Sequence, residues 1–457
     1  MGSINHRVVR GSRILVALAA AGWCATCSSV SPPILETDVA ASSRVPVVFV
    51  PGVTGVGLSD KATRKLVWGK GWNLIRPHDR GHGMARTLSG SHLGPQLEPA
   101  GAILDLRLFG IVRYSIYQEL VDLFVANGYS HGDLQSPQPT DDFFLFSYDW
   151  RQDNVSSAAH LAEQLASLRR VRGQENLEVD LICQSNGAHI CRYFAKYGGA
   201  DLAVAEAENS PAAAGLSVRQ LILVGTSNGG SIRVLRELNR GRRYVDLIGR
   251  LWSPETLFTF ESLYQDLPSY TTDLFVDESG EPMAVDLFDV ENWRRFQWSI
   301  YGQQASRVLA RDDLPPWFGS AAERERFLVS ALDRARRFHT LLRQDVPDFG
   351  STRYFLISNT GNETSSRAVL SEDKGAWTTR FEDDKTVRRD PTLRSALVEA
   401  GDGHATATSQ RWLSPQERKR LGENVVEVEG THRRVILQEA THERILKILA
   451  EDVPQNE

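Results

Sequence analysis

Cysteine is scarce in this chain, four in 457 residues, at positions 24, 27, 183 and 191. Cys183 ends a strand-like run and Cys191 lies inside the helical segment behind it, which argues against a structural disulfide framework. An excess of positive charge is missing as well. The 52 Lys and Arg against 57 Asp and Glu give −5, a balance that argues against nucleic acid as a partner. Metal-ligand spacing is also lacking: His78, His82 and His92 have no acids or cysteines at ligand intervals, so no metal is expected. No cofactor motif is present. Fractions of 41% hydrophobic and 24% charged residues are ordinary for a globular protein and name no activity.

What is present begins at the amino end. Arg7, Arg10 and Arg13 precede an apolar run over residues 14–22, and no acid occurs before Glu36. The run is too short to span a bilayer as a helix, and its layout is that of an export signal over residues 1–27. A periplasmic, cell-envelope or extracellular protein is expected. Cys24 and Cys27 follow the run directly, as a lipid-anchored cysteine would, but neither is preceded by a good small-residue cleavage pattern. Loss of this segment takes three arginines with it and moves the charge balance from −5 to −8. Residues 28–43 are rich in Ser and Pro and read as a linker.

The next stretches alternate strand and helix signals. Residues 45–50 form a short apolar strand that runs into Pro51-Gly52-Val53-Thr54-Gly55-Val56-Gly57. Glycines so placed make either a plain tight turn or a loop with free N–H groups for an anion. Residues 59–112, with Trp68 and Trp72, show no clear periodicity and read as a lid-like excursion. A helix is expected over 114–127, ended by Gly128, then a strand at 143–148 and a helix over 155–170. Strands follow at 177–184 and 220–226. This order predicts an α/β fold with a mainly parallel sheet covered by helices on both faces. Core residues 44–232 are then followed by a helical cap insertion at 233–344, and the core resumes over 345–457, with strands at 352–358 and 424–428.

Ser185, in Cys183-Gln184-Ser185-Asn186-Gly187, falls where a strand turns sharply into a helix. That position suits a nucleophile, and equally an N-cap serine. A serine nucleophile needs a base and an orienting acid, which in sheets of this type follow in the order Ser, Asp or Glu, His. His432 lies in a glycine-bearing loop after the last strand. Asp402, in Gly401-Asp402-Gly403-His404, precedes it. Glu399 is the rival acid and His404 the rival base.

At this point the chain resembles the lecithin:cholesterol acyltransferase family, which includes phospholipid:diacylglycerol acyltransferases and a lysosomal phospholipase. The matching stretches are Val50-Pro51-Gly52-Val53-Thr54-Gly55, Phe146-Ser147-Tyr148-Asp149-Trp150-Arg151, Cys183 to Gly187, Val224-Gly225-Thr226-Ser227-Asn228-Gly229-Gly230-Ser231, Gly401 to His404, and Gly430-Thr431-His432. The resemblance implies an α/β-hydrolase fold with a helical cap and a lid loop. It implies a lipid O-acyltransferase in which Ser185, Asp402 and His432 form the triad and the N–H groups of Thr54 and Asn186 form the oxyanion hole. A fatty acyl group would pass from a phospholipid-type ester to a sterol, a glyceride or water, in peripheral contact with a membrane or lipid surface. By the same likeness Trp68 or Trp72 would be lid tryptophans against substrate, and Asp149 and Arg151 a structural ion pair. A phospholipase A or lipase, and a catalytically silent lipid-binding relative, are the competing readings. The chain departs from the family at Cys183, at His404 and Ala405, and in lacking the cysteines that close the lid of the secreted animal enzymes.

Overall fold

Along each central strand the side chains alternate between two separate cores, as a pleated strand requires. Val48, Val50, Val179, Leu181, Leu221 and Leu223 enter one, whereas Val47, Phe49, Ile182, Ile222 and Val224 enter the other. Strands buried on both faces read as continuous apolar runs, and this is how they stand in the sequence. The computed structural model describes residues 44–69, 79–88, 94–108, 112–208, 214–242, 252–347 and 350–451. The expected export signal and linker, with Cys24 and Cys27, and also Trp72, His78 and His92, lie outside the described residues.

The strands are β1 (Val47–Val50), β2 (His131–Gly132), β3 (Phe143–Leu145), β4 (Leu177–Gln184), β5 (Leu216–Val224), β6 (Arg353–Ser358) and β7 (Val425–Glu427). They make one sheet in the order β7-β6-β5-β4-β1-β3-β2. Every neighbouring pair is parallel. Helices α1 (Gln118–Ala126) and α6 (Glu439–Ala450) pack Leu120, Phe124, Ile445 and Leu449 on one face. Helices α2 (Asn154–Val171) and α3 (Gly187–Tyr197) cover the other, with Leu161, Leu165, Ile190 and Phe194. Register pairs Val50 with Cys183, Gln184 with Val224, Val224 with Ile357, and Ser358 with Glu427. The loops after β1, β4, β5, β6 and β7 therefore leave the sheet at one edge, the carboxyl edge where α/β folds bind ligands.

Two stretches differ from the sequence reading. Residues 59–112 hold real strands: Val56–Asp60, Leu66–Trp68 and Leu97–Ala102 form a three-stranded antiparallel sheet, and Asp105–Leu108 pairs with Val112–Ser115. Register shifts beside Leu58 interrupt the alternation that would have revealed them. The helix expected from 114 starts only at Gln118, because Tyr114 and Ser115 belong to that hairpin. Between β5 and β6 the chain carries α4 (Ile232–Arg240), short helices at Pro254–Leu257 and Glu261–Tyr264, and the 23-residue α5 (Ala321–Arg343). It also supplies Phe275–Val276, which joins Ala368–Asp373, a strand between β6 and β7 in the chain, in a small sheet. Among the described residues no helix is long and apolar enough to cross a membrane.

Candidate active site

Strand β4 ends at Gln184, and α3 begins at Gly187. The intervening Ser185 takes φ of 53°, a left-handed conformation that a non-glycine residue adopts at a cost of roughly 1–2 kcal/mol. Such a turn needs close approach of strand and helix. A Cβ on Gly187 would lie 2.3 Å from the Val50 carbonyl oxygen, and one on Gly52 would lie 2.8 Å from the Ser185 Cβ. Glycine is required at both positions.

The sequence argued against a disulfide, and the structure contains one, between Cys183 and Cys191. Cys183 faces the same core as α3, and the helix runs back over that face until the two Cα atoms are 6.5 Å apart. The bond clamps the strand before Ser185 to the helix after it.

Ser185, His432 and Asp402 come together from three different loops. His432 Nε2 lies 2.8 Å from Ser185 Oγ, and its Nδ1 lies 2.7 Å from Asp402 Oδ2. Asp402 is fully buried and its other oxygen accepts the backbone N–H groups of His404 at 2.9 Å and Ala405 at 2.7 Å. Burial opposes its charge, yet His432, the neighbouring His404 and the Ala405 N–H hold its carboxyl below the usual range. The His432 backbone N–H donates to the Asp402 carbonyl at 2.9 Å, which ties the two loops directly. Glu399, the rival acid, lies on strand Val398–Gly401 and accepts from the Thr408 N–H instead. His404, the rival base, packs its ring against His432 with centroids 4.5 Å apart and planes tilted by 38°, and its Nε2 faces Asp266.

The glycine loop after β1 is fastened by its carbonyls. Trp68 Nε1 donates to Thr54 O at 3.0 Å, Tyr148 Oη to Pro51 O at 2.7 Å, and Trp150 Nε1 to Val56 O at 2.9 Å. The turn closes with Gly55 N–H on Gly52 O, and Thr54 sits at φ of 75°. The N–H groups of Thr54 and Asn186 have no acceptor among the described residues. Asn186 also stands at the amino end of α3, where unpaired N–H groups and the helix dipole favour negative charge. Trp68 is only 1% exposed and packs against Trp150 and Trp252, so it supports this loop from behind rather than presenting a ring to substrate. Arg151 forms a bidentate pair with Asp149 at 2.9 and 2.7 Å and donates to the Met84 carbonyl, an interior arrangement that holds the neighbouring segment.

Other residues here carry no local sequence signal. Asn154 exchanges amide hydrogen bonds with Asn186, and Asp266 accepts from Ser227 at 2.6 Å. Their positions 154 and 266 are far from 185 in the chain, so only the fold joins them. The Gly229-Gly230-Ser231 stretch is explained the same way. A Cβ on Gly230 would lie 2.2 Å from Leu267 O, and Ser231 Oγ donates to His404 O, so the loop after β5 seats both the Asp266 segment and the acid loop.

The chain order of serine, acid and histidine, the strained serine between strand and helix, and the parallel sheet decide the architecture. The fold is that of an α/β-hydrolase. Among solved structures, that of the Tle4–Tli4 complex aligns with this chain at a TM-score of 0.51 and 12% identity, over 89% of this chain and 99% of that one. The mature form of the Bacillus licheniformis lipase BlEst2 aligns at a TM-score of 0.33 and 11% identity, over 91% of this chain and 95% of that one. No protein-family model matches the sequence, and no curated protein does.

Proposed function

We propose that this α/β-hydrolase is a serine acyl-transfer enzyme of lipid metabolism, resembling the lecithin:cholesterol acyltransferase family. In this reading it moves a fatty acyl group from a phospholipid-type ester to an alcohol, a sterol or a glyceride. The observation that carries the chemistry is the unbroken relay from Ser185 Oγ through His432 to the buried Asp402, at 2.8 and 2.7 Å.

His432 Nε2 takes the proton as Ser185 Oγ attacks the ester carbonyl, and Asp402 stabilises the imidazolium that results. The N–H groups of Thr54 and Asn186 receive the oxyanion, each worth about 10²–10³-fold in rate by analogy with other such donors. Collapse expels the lysolipid alkoxide, which takes the proton from His432, and leaves the acyl group on Ser185. An acceptor alcohol then gives its proton to His432 and attacks the acyl-enzyme. Water in that role yields a fatty acid, the phospholipase or lipase outcome. Export is part of the proposal. The Cys183–Cys191 bond supports it, since such bonds persist in oxidising compartments.

The test is incubation of wild type and Ser185→Ala with a fluorescent-acyl phospholipid in vesicles, with and without sterol or diacylglycerol, resolving the lipid products. Acylated acceptor made only by wild type is expected. Free fatty acid alone would replace transfer with hydrolysis. Equal, negligible turnover of several donors by both proteins would favour a silent lipid-binding role.

A further inference from the structure

His404 stands where the family resemblance breaks, and the structure surrounds it with a second acid–histidine pair. Its backbone is pinned from both sides: the N–H donates to Asp402 Oδ1 at 2.9 Å and the carbonyl accepts Ser231 Oγ at 2.5 Å. Its ring packs against that of His432 in a tilted arrangement, centroids 4.5 Å apart and planes inclined by 38°. On the far side its Nε2 is 3.4 Å from Asp266 Oδ2. Asp266 is only 4% exposed, and its Oδ1 faces Ser227 Oγ at 2.6 Å and His189 Nε2 at 3.4 Å.

We propose that His404 and Asp266 are positioning residues for His432, which hold its ring against a fixed imidazole face and stabilise the imidazolium formed when Ser185 gives up its proton. The inference rests on the acyl-transfer reading for its purpose, though not for its geometry. An ionised Asp266 requires the His404 proton on Nε2, which fixes one tautomer and enriches the ring face turned to His432. A cation over such a face is attracted to it, and the Asp266 charge adds to that attraction. Two carboxylates, Asp402 directly and Asp266 through His404, then serve one base.

The protonation states fit this arrangement. Burial opposes the Asp266 charge, but hydrogen bonds from His189 and His404 overcome it and hold the carboxyl well below the usual range. Burial, then His432, hold His404 below the ordinary histidine value. The charged groups around His404 are His432 and Asp402 on the triad side, Asp266 with His189 behind it, and Arg233 and Glu237 on α4. Arg233 donates to the Gly403 carbonyl at 3.1 Å and disfavours a proton on His404. Were His404 charged, it would repel the imidazolium it is placed to support.

The test follows the His432 ring by NMR titration of histidine-labelled protein, in wild type, Asp266→Asn, His404→Ala and His404→Phe. Asp266→Asn is expected to lower the His432 midpoint by about one pH unit. His404→Ala is expected to lower it as well, and His404→Phe, which returns a ring to stack, recovers part of that loss. An unmoved midpoint in both Asp266→Asn and His404→Ala would overturn the proposal. So would equal shifts in the Ala and Phe variants. Thermal melts identify a variant that fails to fold, and the His404 pair then decides the matter. Phosphonylation of Ser185 in the same samples tests the acyl-transfer reading separately. A silent Ser185 with a shifted midpoint would remove the reaction and leave the coupling in place. Where Ser185 reacts, the rate is expected to fall about tenfold in Asp266→Asn and His404→Ala, with its acid limb moving to lower pH in Asp266→Asn.

Discussion

Asn154 and Asn186 face each other with both side-chain amides engaged, Asn186 Nδ2 donating to Asn154 Oδ1 at 2.8 Å and the reverse bond spanning 3.1 Å. Both are buried, and the Asn154 backbone N–H donates to Gln265 Oε1 at 2.7 Å. The residue behind the nucleophile is thus fixed to the start of α2 and to the chain between β5 and β6. Asn154→Leu would strip both of these bonds from the buried Asn186 amide, a cost of roughly 1–3 kcal/mol. Phosphonylation of Ser185 is expected to slow by about tenfold while the fold survives. Stopped-flow labelling with a melting curve on the same sample checks both parts.

Gly187 offers the sharpest steric test of the strained turn. The Val50 carbonyl that a Cβ would strike at 2.3 Å is part of β1 and cannot swing away. Gly187→Ala is therefore expected to destabilise by at least about 2 kcal/mol and to abolish Ser185 reactivity. Calorimetry alongside labelling reads this. A variant that reacts like wild type would refute the close packing of α3 on β1.

The disulfide makes a separate claim about stability. Closing a loop with a sequence separation of 8 removes denatured-state entropy worth about 2–3 kcal/mol. Cys191→Ala is expected to lower the melting temperature by several degrees, and adding a reductant to that variant should change nothing further. Thiol titration of unfolded, unreduced wild type checks the bond itself. Two reactive thiols on the peptides of Cys183 and Cys191 would contradict it.

Much of this was legible in the sequence, for physical reasons that also mark where legibility stopped. Strands β1, β4 and β5 are buried on both faces, so their continuous apolar runs announce them. Ser185 follows the recognisable strand β4 with Gly187 beside it, and His432 follows β7 with Gly430 beside it, whereas the strand before Asp402, Val398–Gly401, carries no apolar run to announce it. The small sheet at 56–102 escaped notice because bulges spoil its alternation. The disulfide escaped because eight residues of strand, turn and helix fold back on themselves in a way spacing does not show. The family likeness points to Trp68 or Trp72 against substrate; Trp72 lies outside the described residues, and the Trp68 indole N–H holds the Thr54 carbonyl. Aromatic content in a loop does not say which way a ring faces. Asp266 was invisible, since nothing near residue 266 repeats a motif.

A pH dependence follows from the interior cluster under α3. Glu417 is fully buried, accepts Arg192 at 2.9 and 2.7 Å, and lies 3.7 Å from Lys196 Nζ. Burial opposes its charge, but Arg192 and Lys196 bring it down to about 2 from 4.5. A lowered carboxyl contributes stability that is complete above about pH 4.5 and is lost as pH falls toward 2. Glu417→Gln removes the one carboxylate that Arg192 and Lys196 share and is expected to cost roughly 3–5 kcal/mol at neutral pH. In denaturant titrations the gap between wild type and Glu417→Gln should narrow steadily below pH 4.5, and a gap constant down to pH 2 would oppose the assignment.

The central claim is that Ser185 is an activated nucleophile, and covalent labelling reads it without knowing the lipid. Wild type, Ser185→Ala and His432→Ala are treated with an alkyl fluorophosphonate, and adducts are located by intact mass and peptide mapping. One adduct per wild-type chain is expected, on Ser185, with none on Ser185→Ala and labelling slowed by about 10³-fold or more in His432→Ala. A folded wild-type protein that stays unmodified, or one modified equally in Ser185→Ala, would contradict it.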